Sequence, residues 1–182
     1  MTSAPLTAER CAIVIDSTSD LPDCRERHAN MRMVPLTVRF GDEELLDYEE
    51  ITPQRFYERL ARDPQPPRTA APPPERFSAA YRELLEAGGY THVLSLHLSE
   101  ALSATVSSAR IAAADCDGRV TVVDTRTVSI GLALAALGLA RQLEAGPCGL
   151  ADVVAEAEGF HRRCPAPAGL STLVGPVPQS KC

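Results

Sequence analysis

The chain has 182 residues, of which 45% are hydrophobic and 23% are charged, and its formal net charge is −6. This length fits one domain, or one domain with a tail, and the composition allows a hydrophobic core. The acidic balance and the lack of a basic stripe in the sequence exclude a nucleic-acid partner, which requires clustered Lys and Arg.

Membrane, metal and cofactor signals are missing from the sequence. No uninterrupted apolar run approaches the roughly 20 residues that span a bilayer, and the first residues lack the pattern of a secretion signal. We therefore expect a cytoplasmic protein without a membrane span. The six cysteines form no C-x-x-C pair and none stands near a histidine at zinc spacing, which predicts reduced cysteines and no metal. We also expect no cofactor, since the nucleotide motifs G-x-x-x-x-G-K-[ST] and G-x-G-x-x-G do not occur.

The first third of the chain is predicted to alternate between strands and helices. Residues 11–15 form a short apolar run typical of a buried strand, and Leu21-Pro22 then favours the opening of a helix. Residues 31–40 predict a second strand, in which Pro35 indicates an edge or a bulge. A turn at Gly41-Asp42 leads to a short extended piece over residues 44–46.

Two helices and a proline-rich loop are predicted next. Thr52-Pro53 supplies a hydroxyl cap followed by proline at the first helical position. Residues 63–74 contain six prolines, which predicts an extended loop between two helices. Residues 75–87 are amphipathic with helical spacing and stop at Gly88-Gly89.

The last third continues the alternation. We predict strands over residues 92–98 and 120–123 and a helix of small residues over 103–114. Ile130–Ala145 is apolar nearly all round, which predicts a buried helix, and a final helix is expected near Leu150–Arg163. Alternating strands and helices predict an α/β fold, a mostly parallel sheet with helices on both faces.

The domain boundaries follow from this pattern. We expect an N-terminal tail over residues 1–10, an α/β domain over residues 11–163, and a Pro-containing C-terminal tail over residues 164–182.

Four loops carry most of the polar side chains that a ligand could use. They cover residues 16–20, 68–72, 99–105 and 124–127, and all are rich in hydroxyls. Ligands of open α/β sheets bind beyond the carboxyl ends of the strands, and helix N-termini favour anions. Ser103 and Thr105 stand at the start of a predicted helix, where they can donate to a carboxylate or phosphate. Helix capping is the alternative reading of these hydroxyls.

The enzyme alternatives are less well supported. An aspartyl phosphatase using Asp16 and a metal would need a second acid two residues later, where the chain has Thr18. A serine hydrolase needs a G-x-S-x-G turn, which does not occur. His97 is the histidine best placed to approach the site, and we interpret it as a packed or hydrogen-bonded side chain.

Five segments together resemble the DegV family. Residues 16–22 read D-S-T-S-D-L-P, residues 34–36 read V-P-L before a short acidic hairpin, and residues 69–73 read T-A-A-P-P. Further on, residues 98–109 read L-S-E-A-L-S-A-T-V-S-S-A and residues 122–125 read V-V-D-T. The family has similar segments in this order, and the resemblance covers roughly residues 11–163.

The resemblance implies a fold like the N-terminal domain of DegV proteins and non-covalent binding of a long-chain fatty acid. It implies that Thr69 and Ser103 contact the lipid carboxylate and that the binder itself is not an enzyme. Some members hand the fatty acid to a separate kinase, so a fatty acid kinase is an expected partner. The candidate ligand-binding residues are the hydroxyls of these loops: Thr69, Ser103, Thr105, Ser99, Ser17 and Thr18.

The chain departs from the family at two places in these loops and in its length. In this chain the loop that corresponds to the family's T-S-Q-P-S lacks both serines and the glutamine. Ala104 replaces the glycine that follows the serine in the family, and its methyl is expected to crowd the ligand. The sequence contains no segment resembling the family's second domain, and a truncated product without activity is a further alternative that we expect from this difference. An apolar face left without that domain predicts self-association, recruitment of a partner, or marginal stability.

Overall fold

Two β-sheets of different kinds form the framework of the computed structural model, which describes residues 4–163. The first sheet is parallel in the order β2-β1-β6-β7 and consists of β1 (Cys11–Asp16), β2 (Met31–Val34), β6 (His92–His97) and β7 (Val120–Asp124). The second is antiparallel in the order β4-β3-β5 and consists of β3 (Thr37–Phe40), β4 (Glu43–Leu46) and β5 (Arg68–Ala70).

Six helices complete the described chain. They are α1 (Cys24–Arg27), α2 (Pro53–Leu60), α3 (Pro74–Arg82), α4 (Thr105–Ala113), α5 (Ile130–Ala145) and α6 (Leu150–Arg163). A 3-10 turn over Ser17–Ser19 follows β1, and a π-helical turn over Glu83–Ala87 extends α3. The predicted α/β class, with a mostly parallel central sheet, is confirmed.

Alternate residues of β1 face two separate cores. Ile13 and Ile15 lie in a cluster with α5 and α6, whereas Ala12 and Val14 lie in a cluster with α3 and α4. Because successive strand side chains point to opposite faces, a strand buried on both faces reads as a continuous apolar run. The sheet is therefore covered on each side by a pair of helices, and only its edges and strand ends are open.

The strand predicted over residues 31–40 is in fact two strands in different sheets. β2 ends at Val34 and β3 begins at Thr37, so the break falls at Pro35 and Leu36. Proline has no N–H to donate to a ladder, and the Leu36 amide donates instead to the Ser17 hydroxyl over 3.0 Å. The chain thereby leaves the parallel sheet and starts the small antiparallel sheet.

Three further predictions need correction. The proline-rich stretch is not all loop, since β5 lies within it and pairs with β3. Only the single turn α1 forms after Leu21-Pro22, since the backbone becomes extended at His28 with φ −133° and ψ 103°. The helix α5 is not buried all round, since Ile130 is 69% and Leu134 44% exposed.

The expected N-terminal tail is partly packed. Leu6 is buried and pairs with Cys148 through backbone hydrogen bonds in both directions. The four described cysteines (Cys11, Cys24, Cys116 and Cys148) are free thiols in the structure. No helix within residues 4–163 is long and apolar enough to cross a membrane. The predicted tail over residues 164–182 lies outside the described residues.

Candidate functional site

The order of the parallel strands creates a crevice between β1 and β6. The chain passes from β1 to β2 on one side and from β6 to β7 on the other, so the connections diverge at the carboxyl ends of β1 and β6. Open α/β sheets bind their ligands at such a point. Asp16 ends β1 here, and His97 ends β6.

The Asp16 carboxylate ties the two diverging loops together. One oxygen accepts hydrogen bonds from the Thr18 amide at 3.1 Å and the Thr18 hydroxyl at 2.5 Å. The other accepts from the Leu98 amide at 3.0 Å and from Nδ1 of His97 at 3.1 Å. The side chain is fully buried. Both oxygens are therefore engaged in hydrogen bonds inside the protein.

A buried chain of hydrogen bonds continues from His97 into the core. Nε2 of His97 lies 2.7 Å from the Ser95 hydroxyl, which lies 2.7 Å from the hydroxyl of Tyr81. All three side chains are inaccessible to solvent, and the Phe77 ring packs edge-on against the imidazole. Burial raises the pKa of Tyr81 above its ordinary value. His97 is thus a packed, hydrogen-bonded side chain, as its sequence position suggested.

A cleft of about 400 Å³ opens beside this tie. Thr18, Thr69 and Ser103 place hydroxyl-bearing side chains along it, and apolar side chains form much of the remaining wall: Leu36, Val38, Leu98 and Leu102. Thr69 arrives through β5, where it lies opposite Val38. The structure therefore brings together three of the hydroxyl residues that come from separate loops of the sequence.

Ser103 stands at the N-terminus of α4. Its hydroxyl oxygen lies 2.9 Å from that of Thr105 and accepts from the Thr105 amide at 3.3 Å. Ala104 caps the helix without a side-chain hydrogen bond, and its φ of −74° and ψ of 4° suit any L residue. The backbone here does not depend on glycine, so the Ala104 methyl adds bulk to the cleft lining without straining the chain.

The other three predicted hydroxyls lie differently. Thr105 is fully buried. Ser17 borders the second cleft described below, but its side chain is fully buried and its oxygen accepts from the Leu36 amide. Ser99 accepts from the Ala101 amide at 3.3 Å and lines neither this cleft nor the next one. Each of these three hydroxyls makes a hydrogen bond within its own or a neighbouring loop.

A second cleft of about 310 Å³ joins the first. The two share four lining residues, which are Thr18, Val38, Asp47 and Thr69. Phe56, Tyr57 and Val128 add apolar side chains at the far end of the second cleft. The pair forms one groove, with Ser103 in the first cleft and the rings of Phe56 and Tyr57 in the second.

A cluster of three hydrogen-bonded side chains on the wall of the second cleft was not predicted from the sequence. Asp20 accepts from the Tyr48 hydroxyl at 2.8 Å and from the Ser129 hydroxyl at 2.6 Å. All three residues have positive φ, between +56° and +63°. Such strain in residues other than glycine clusters at functional sites. In the sequence, Asp20 and Ser129 are simply polar residues beside a helical segment. Helix capping explains such residues equally well, so they did not indicate this cluster.

The fold thus defines an α/β domain with an open, hydroxyl-lined groove at the carboxyl edge of a parallel sheet. A family model described as "Uncharacterised protein, DegV family" matches residues 10–173. The chain belongs to the DegV family.

Individual members of the DegV family are similar to this chain in sequence and in structure. A DegV domain-containing protein of Deinococcus radiodurans is 42% identical over 135 residues, which is 74% of this chain and 47% of the relative. A fatty-acid-binding DegV family protein of Thermus thermophilus superposes with a TM-score of 0.76 and 44% identity, covering 84% of this chain and 54% of that one. DegV of Bacillus subtilis, a fatty acid binding protein, superposes with a TM-score of 0.73 and 32% identity, covering 82% and 52%. The chain spans about half the length of these three proteins.

Proposed function

We propose that this chain binds a long-chain fatty acid without covalent chemistry, holding the carboxyl group at Thr69 and Ser103. The observation that carries the proposal is the meeting of these two hydroxyls, from loops far apart in the chain, in one cleft with apolar walls. Its volume of about 400 Å³ lies within the range of small-molecule sites. The related proteins of Thermus thermophilus and Bacillus subtilis bind fatty acids and share this fold.

The acyl chain has an apolar path away from the hydroxyls. Val38 lines both clefts, and Phe56 and Tyr57 continue the apolar surface toward α2. Apolar surface removed from water contributes about 25 cal/mol per Å². The acyl chain of the ligand therefore supplies most of the affinity, and the hydroxyls fix the orientation of the ligand. Thr69 is exposed at the mouth, which keeps the carboxyl group within reach of another protein.

The proposal also covers the partner of the chain and its compartment. The binder carries no catalysis and presents the carboxyl group to a separate fatty acid kinase, as the family resemblance implies. The compartment is the cytoplasm, which suits the four free thiols of the described chain.

The test is the affinity for a fluorescent long-chain fatty acid, compared between the native chain, Ser103→Ala and Thr69→Val. Hydrogen bonds to a charged group contribute on the order of 1.5–3 kcal/mol each, so each variant is expected to bind roughly ten- to a hundredfold more weakly. Ser107→Ala, an exposed serine on α4 outside both clefts, serves as the control and keeps native affinity. Equal affinity in all four proteins contradicts the role of both hydroxyls. Mass spectrometry of an organic extract of the purified chain identifies the lipid that it carries.

A further inference from the structure

The ionisable side chains that line the groove are all acids. The residues that line the two clefts include two carboxylates, Asp20 and Asp47, and two phenols, Tyr48 and Tyr57. Neither lining contains an Arg, Lys or His among the described residues. A fatty acid carboxylate placed at Thr69 and Ser103 therefore meets hydroxyl donors and the Asp47 carboxylate, and no cationic side chain lines either cleft within the described residues.

Asp47 is the carboxylate that lines the same cleft as Thr69 and Ser103. Its backbone is fixed, since its amide donates to the Leu36 carbonyl at 3.0 Å and the residue bridges to Ile51. It belongs to no ion pair among residues 4–163. Asp20, in contrast, lines only the second cleft, and its oxygens accept from Tyr48 and Ser129.

The groups around Asp47 favour its neutral form. Burial is the largest cause that raises the pKa of Asp47, and the negative charge of Asp20 adds to the rise. The Ser17 hydroxyl and the Tyr48 amide oppose it only in part. A second carboxylate brought into the same half-buried cleft acts in the same direction, because two like charges at close range cannot both ionise without a cost.

We propose that Asp47 determines the charge of the head group that this cleft accepts, so that a carboxyl ligand binds together with one proton shared with Asp47. The statement rests on the proposed fatty acid function. The proton comes from solvent, and the two carboxyl groups with one proton carry a single negative charge, which the Thr69 and Ser103 hydroxyls can solvate. The same arrangement disfavours head groups with two negative charges, such as an alkyl phosphate, and leaves a neutral alcohol unaffected.

The experiment measures binding of a fluorescent long-chain fatty acid between pH 6.5 and 8.5, where an ordinary carboxylic acid is ionised throughout. Binding that takes up one proton loses about tenfold in affinity for each pH unit, so we expect this slope for the native chain. Asp47→Asn keeps the size of the side chain and one acceptor oxygen. We expect it to bind with no pH dependence and at least about tenfold more tightly at pH 8. Glu49→Gln removes one charge from the same loop at an exposed position outside both clefts, and we expect it to behave like the native chain.

Two further measurements test the proposal without any variant. Calorimetry in two buffers of different ionisation enthalpy is expected to show uptake of about one proton per bound fatty acid. Displacement of the fluorescent probe by a long-chain alcohol of equal length is expected to be independent of pH once the change in probe affinity is allowed for. These readings hold even if Asp47→Asn melts too early to be used.

The outcomes that would contradict the role of Asp47 differ from those that would contradict fatty acid binding. Saturable binding of the acid with no proton uptake, or with the same pH slope in Asp47→Asn, overturns the role of Asp47 and leaves the proposed function standing. An alcohol with the same pH slope as the acid overturns it as well. No saturable binding of the acid by the native chain or by Asp47→Asn at any pH contradicts the proposed function and this inference together.

Discussion

Asp16 joins two of the loops beside the groove through a buried carboxylate. Its buried carboxylate accepts four hydrogen bonds from Thr18, His97 and Leu98 and so joins the loops after β1 and β6. Removing one partner from a buried charged network leaves the remaining polar groups unsatisfied in a medium of low dielectric constant. We therefore expect Asp16 to hold the loops beside the cleft in place, although it lines neither cleft.

We predict that Asp16→Ala lowers the free energy of unfolding by about 3–5 kcal/mol, measured by urea denaturation. Asp124→Ala is the matched control, because Asp124 ends the neighbouring strand β7 but its hydrogen bonds are exposed. We expect that control to lose about 1 kcal/mol. Similar losses in the two variants would show that burial of Asp16 adds nothing to its role.

At the scale of elements, α5 closes the groove through its N-terminus and packs the core through its length. Ser129 precedes the helix and donates to Asp20, while Gly131 lies against the Thr127 side chain. The Thr127 hydroxyl lies 3.0 Å from that of Thr125, which donates to the His97 carbonyl at 2.8 Å. The start of α5 is thus connected to the end of β6.

Two glycines of α5 should respond to the same substitution in opposite ways. A methyl at Gly131 would lie 2.9 Å from Cβ of Thr127, whereas a methyl at Gly138 meets nothing within 4 Å. We predict that Gly138→Ala raises the free energy of unfolding by about 1 kcal/mol, because alanine favours helix over glycine. Gly131→Ala should lower it by about 1 kcal/mol or more, since overpacking costs more than the propensity gains. Thermal melts of both variants test this, and equal shifts would contradict the tight contact at Thr127.

For the molecule as a whole, the exposed apolar side chains near the groove matter most. Tyr57 and Leu102 line its two clefts, and Ile130 and Leu134 follow at the start of α5. These four are 44% to 69% exposed. An apolar patch at the surface marks an interaction site in soluble proteins, and from these exposed side chains we predict that the chain associates with a partner or with itself.

We predict self-association that depends on protein concentration, measured by light scattering coupled to gel filtration. Ile130→Glu should shift the chain toward the monomer, and a glutamate in the first turn of a helix is itself favourable. Ile111→Glu is the control, since Ile111 is 63% exposed but lies near the C-terminus of α4, outside both clefts. A native chain that remains a monomer at every concentration would show that the domain is self-sufficient.

Much of the element order could be predicted from the sequence, because helix and strand signals are local. The bounds of α5 and α6 match the prediction, and the Thr52 hydroxyl caps α2 by accepting from the Arg55 amide. The break at Pro35 was not predicted as a change of sheet, because a proline signals an interruption without specifying which partner the chain pairs with next. The strand β5 was missed for a related reason, since three residues in a proline-rich stretch form a strand only where β3 offers a ladder.

The sequence by itself determined the family, the α/β class and the hydroxyl residues of the candidate site, all of which rest on segments a few residues long. Only the tertiary structure decided which of those hydroxyls meet: Thr69 and Ser103 share a cleft, while Thr105 and Ser17 are buried. It also placed Asp47 among them and tied Asp16 to His97 across 81 residues of chain. The physical reason is that capping and periodicity depend on neighbours within a turn or two. A binding site depends on strand order, which is set by the burial of two whole faces of a sheet.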